Sequence, residues 1–114
     1  MEIPPEIRGD ILKMQQIQQK LQNFMLQKQH VQVQKIEVEN ALKEIKNVKK
    51  DDGVFEIVGT IMFKKSKDEL NASLDEKNEL FTLRLSSLDK QINTLTDEAK
   101  EIQAKITAEI NKKR

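Results

Sequence analysis

The chain carries one histidine and no cysteine in 114 residues, so the residue types available for chemistry are few. A soft metal site lacks any thiolate and a second imidazole, and disulfides and thiol nucleophiles are excluded. His30 stands beside Val31 with no general-base partner in view, and reads as a solvated flank residue rather than a catalyst. Asp51-Asp52-Gly53 could begin a calcium loop. It lacks the further carboxylates of a twelve-residue binding loop, and reads as a turn. Asn71-Ala72-Ser73 fits the N-glycosylation acceptor pattern, but no signal peptide is visible, so Asn71 reads as an exposed helical residue. Asp97, Glu98 and Glu101 alternate with Lys90, Lys100 and Lys105 as the solvated flanks of paired helices do. Lys112, Lys113 and Arg114 complement the negative end of a helix dipole. The expectation is a protein that is not an enzyme and holds no metal and no cofactor.

Composition points the same way. Charged residues make up 34 % and hydrophobic ones 37 %, with no Trp, no Tyr and four Phe. That is poor material for a compact core and suits long helices. Twenty basic side chains against nineteen acidic ones leave a net charge of +1, which supplies no field to gather a polyanion. Nucleic acid is not expected as a partner. No apolar run approaches the roughly 18 residues of a membrane span, and the expectation is a soluble, intracellular chain forming a single domain over residues 1–114.

Those residues must be positioned by helices. Both prolines fall at positions 4 and 5, and nothing beyond them forbids a helix over about 6–48. Within it Ile17, Phe24, Val31, Val38 and Ile45 recur every seven residues, beside a second series of Met14, Leu21, Lys28, Lys35 and Leu42. This is a heptad seam. Its two lysines can pack their stems while the ammonium groups reach water. A second helix over about 67–112 is announced by Ser66 with Glu69, a capping-box spacing, and carries Leu74, Phe81, Leu85, Leu88, Ile92, Leu95, Ala99, Ile102 and Ile106 on its seam. Each helix would span roughly 65 Å at about 1.5 Å per residue. Folded back on each other, residues whose numbers total about 116 lie opposite, and the two seams then match.

Between the helices Gly59-Thr60 suits a two-residue type II′ turn, predicting a β-hairpin over about 54–65. Phe55, Ile57 and Met62 share one face of it; Val54, Val58, Ile61 and Phe63 share the other. Both faces are largely apolar, and a lone two-stranded hairpin is marginal in water. The insert therefore asks for partner chains. At the opposite ends of the helices Ile3, Ile7, Ile11 and Leu12 face Ile102, Ile106 and Ile110, more apolar side chains than one seam can bury. They read either as a site for apolar segments of another protein or as the end of an ordinary seam. The fold class expected is mainly α: an antiparallel coiled-coil hairpin of two long helices with one short β-hairpin inserted.

The IPPEI start, the Gln-rich MQQIQQKLQ, the VFEIVGTIMFKK insert and the LFTLRLSSLDKQI run together resemble the beta class of archaeal prefoldin subunits. Val58-Gly59 is the most specific part. Phe55 stands where the family often carries Tyr, losing a hydroxyl and keeping the packing role. The insert is long enough for one hairpin, whereas the alpha class holds two. The resemblance implies an alpha2-beta4 hexamer with the prefoldin alpha subunit, hairpins joined into β-barrels and coiled coils hanging as tentacles. It implies an ATP-independent holdase that captures unfolded polypeptides in the cytoplasm and passes them to a group II chaperonin. On this chain, subunit assembly would fall on Val54, Phe55, Ile57, Val58, Gly59, Ile61 and Phe63. Client contact would fall on Ile3, Ile7, Ile11, Leu12, Ile102, Ile106 and Ile110. A structural coiled-coil adaptor that binds one folded partner is the alternative reading.

Overall fold

The structure is a computed structural model describing residues 4–112. Four elements follow in order: α1 (Pro5–Ile45), β1 (Val54–Val58), β2 (Ile61–Lys65) and α2 (Lys67–Lys112). Pro5 takes the first helical position, where its missing N–H is not needed, and the Pro4 carbonyl accepts the Arg8 amide at 3.1 Å. At the start of α2 the Ser66 hydroxyl accepts the Glu69 amide at 3.1 Å, one arm of the capping box anticipated from the spacing.

α1 stops at Ile45, three residues before the end expected from the heptads. The chain tightens there, with the Asn47 amide on the Glu44 carbonyl and the Val48 amide on the Ile45 carbonyl. A side chain far along the sequence meets the carbonyls just past this end. Lys67 Nζ donates to the carbonyls of Val48 at 2.8 Å and Lys46 at 3.4 Å, satisfying acceptors that another helical turn would have used and placing a cation at the negative helix end.

The chain divides into two compact units. One joins Met1–Gln29 to Ser86–Arg114, and the other is His30–Leu85. In the first unit, Lys28 pairs with Asp89 at 2.6 Å and Asp10 with Lys105 at 3.5 Å, so the facing residues total 117 and 115 and the helices run antiparallel in the expected register. Ile7, Ile17, Leu88 and Ile106 are its buried apolar residues. The seam lysine Lys28 is half-buried and answers an acidic neighbour on α2, as a snorkelling stem allows. In the second unit Val31 and Ile45 are buried, Leu42, Leu74, Phe81 and Leu85 are half-buried along the same seam, and Lys35 pairs with Glu39 one turn on.

The second unit also holds the hairpin. β1 and β2 pair antiparallel with Val58 opposite Ile61 and Val54 opposite Lys65. The two-residue loop has Gly59 at φ +62° and no positive φ at Thr60, as a type II′ turn requires and a type I′ turn forbids. A Cβ at Gly59 would meet no atom within 4 Å, so a substitution there is disfavoured by backbone strain alone. Gly59→Ala is expected to weaken the hairpin by about 1–2 kcal/mol. Faster amide exchange confined to 54–65 would report it, and unchanged exchange would show that the turn tolerates a side chain.

Candidate functional site

The hairpin presents almost all of its apolar surface to solvent. Phe55, Ile57, Val58, Ile61, Met62 and Phe63 are exposed, Ile57 by 67 %, while Val54 is half-buried. Phe55, Ile57 and Met62 share the face away from Glu56, and each strand has one unpaired edge in this two-stranded sheet. All six exposed residues thus sit beside backbone groups that can accept or donate to another strand.

One charged side chain holds the hairpin onto α2. Glu56, on the face shared with Val54 and Phe63, pairs through Oε2 with Lys65 at 2.5 Å and accepts from Lys77 through Oε1 at 3.1 Å. Its side chain is only 12 % exposed. The Lys65 ammonium first, and then that of Lys77, hold the Glu56 carboxyl below the usual glutamate range, against an opposing pull from desolvation. A carboxylate with a lowered folded pKa adds stability above its unfolded value of about 4.3 and loses it as pH falls through the folded one. Docking of the hairpin on α2 is therefore expected to be strongest at neutral pH and to weaken in the acid range. Glu56→Gln should abolish that transition, as followed by hairpin amide shifts during a pH titration; an identical titration in the variant would remove Glu56 from this role.

The helix ends behave differently. Ile7 and Ile106 are buried in the seam of the first unit at 4 % and 9 %, and Ile11 and Ile102 are half-buried. Leu12 and Ile110 face solvent at 57 % and 45 %. Ile3 lies outside the described residues. The structure thus separates the apolar residues of this end into a packed set and an exposed pair. Asp10, which the sequence reading passed over, is also buried among them, 8 % exposed. Its position one heptad before Ile17 was the available signal.

Sequence reasoning also missed exposed apolar residues away from both places. Met25 and Leu26 stand on α1 in the first unit; Val33 and Ile36 on α1 and Leu80 and Leu83 on α2 stand in the second. None falls on the seven-residue series, so the heptad pattern gave no reason to single them out.

Among the described residues no three His, Cys, Asp or Glu side chains gather as a metal site, and no helix is long and apolar enough to cross a membrane. What the geometry does define is a helix-pair subunit that carries an apolar two-stranded head. A model of the family described as "Prefoldin subunit" matches residues 9–113, and the chain belongs to the prefoldin family. It is 38 % identical to the prefoldin subunit beta of Thermococcus kodakarensis, over 91 % of this chain and 89 % of that one. With the prefoldin subunit beta of Caldivirga maquilingensis it shares 34 % identity, over 92 % of this chain and 87 % of the other. The crystal structure of the prefoldin beta subunit from Thermococcus strain KS-1 superposes with a TM-score of 0.85 at 36 % identity, covering 94 % of each chain. Prefoldin is a chaperone family of hetero-oligomeric complexes, and the fold of two long helices around one hairpin is that of its beta subunits.

Proposed function

We propose that this chain is the beta-type subunit of an ATP-independent holdase. Four copies assemble with two alpha subunits through their hairpins, capture unfolded polypeptides at the helix ends in the cytoplasm, and deliver them to a group II chaperonin. The observation that supports this reading most directly is the hairpin itself. Six exposed apolar side chains on a sheet made only of edge strands are stable in water when other strands cover them. Assembly of several copies brings several helix ends together. Each binds weakly, and the shared effective concentration retains a client without an energy source.

The test has two parts. The complex that a tagged copy draws from its own source extract is weighed under native conditions and its subunit ratio counted; the purified complex is then assayed for suppression of aggregation of two unrelated unfolded proteins. The holdase reading expects four copies with two of a longer coiled-coil subunit, and protection of both clients. A self-contained dimer, or an equal-ratio complex with one folded protein that protects neither client, would favour an adaptor.

A further inference from the structure

Asp10 belongs to the seven-residue series that continues through Ile17, Phe24, Val31, Val38 and Ile45, so it lies on the seam rather than on a flank. Ile7 precedes it by one turn and is buried, and Met14 follows by one turn and is half-buried. Asp10 Oδ2 has neither solvent contact nor a donor in hydrogen-bonding geometry. The cation paired with it is Lys105, whose Nζ stands 3.5 Å away on a side chain 60 % exposed. A buried carboxylate compensated by one largely hydrated ammonium, with no hydrogen bond to the buried oxygen, favours any arrangement in which water reaches it. Ile106, the neighbour of Lys105, is the buried residue that such an arrangement would uncover together with Ile7.

We infer that Asp10 is a positioning residue that makes this end of the helix pair open locally, and that the opening exposes Ile7 and Ile106 to an unfolded polypeptide. The second half rests on the client-contact reading proposed above. On this account the packed and exposed apolar residues of the helix ends are one surface in two states. Leu12 and Ile110 are available at all times, and Ile7 and Ile106 join them when Asp10 becomes hydrated. The seam from Ile17 onward, apolar at the matching positions, stays closed.

Hydrogen exchange on the full-length chain in its native assembly separates the two halves of the inference. Asp10→Leu, which completes the apolar seam, is expected to slow amide exchange about tenfold or more in Gly9–Gln16 and Lys100–Ile110, leave the rest of both helices unchanged, and reduce client retention several-fold. Lys105→Met, which leaves the carboxylate without its cation, is expected to speed exchange in the same two segments. Exchange that is not slowed in Asp10→Leu and not speeded in Lys105→Met overturns the inference. Slowed exchange with undiminished retention overturns the link to client contact while leaving the local opening in place. Loss of the client-contact reading itself shows instead as full retention in a variant lacking Leu12 and Ile110.

Discussion

A chain carrying Phe55→Ser and Ile57→Ser is expected to migrate as a small species that no longer co-purifies with partner subunits, with unchanged helical circular dichroism. Both side chains are more than half exposed in the isolated subunit, so their removal takes little from its own packing. The loss falls on the assembled state. Covering a large apolar side chain contributes about 1.5–3 kcal/mol, so two per hairpin remove about 3 kcal/mol or more, roughly a hundredfold in each association constant. Several hairpins in one assembly multiply that factor. Phe55 and Ile57 are also on the face away from Glu56, so the Lys65 and Lys77 pairs that hold the hairpin on α2 survive the change. An unchanged native mass would show that the hairpin is not the assembly surface.

Leu12→Ser with Ile110→Ser is expected to abolish suppression of client aggregation while native mass and thermal unfolding stay as they were. The pair is chosen because both side chains already face water, whereas Ser at Ile7 or Ile106 would remove buried packing worth about 2–5 kcal/mol and confuse loss of binding with loss of the helix end. On the proposed function each helix end binds weakly by itself and retention comes from several ends acting together, so losing about 1–2 kcal/mol at each would compound over the copies in the assembly. Protection equal to that of the unchanged protein would move client contact elsewhere on the chain, with Met25 and Leu26 as the next exposed apolar pair.

Much of this architecture was legible in the residue types. Periodicity located most of the buried positions, because Ile17, Val31, Ile45 and Leu88 owe their burial to a spacing that a single helix dictates. Gly59 announced the turn, since only the first position of a type II′ loop needs positive φ. Interactions between distant parts of the chain escaped the reading. Lys67 meets the carbonyls just past the end of α1, and Glu56 with Lys77 ties the hairpin to α2, each pair separated by about twenty residues. No local pattern signals such a partner. The helix ends were read correctly as apolar but not divided into buried and exposed members, because that division depends on rotation about the seam at a terminus that carries Asp10 in place of an apolar residue.

The reach of Lys67 to the carbonyls of Lys46 and Val48 has a bearing on how this architecture can vary. It fastens the turn that leaves one helix to the entrance of the next without using any atom of the hairpin between them. That segment is consequently a replaceable cassette. Lengthening a closed loop adds only about 0.6 kcal/mol of entropy per doubling, so an insert of different length or strand number can be exchanged at this junction while the heptads on either side keep their register. The helices and the head are thereby free to diversify separately, and on the proposed function the first would set what is captured and the second the company the subunit keeps.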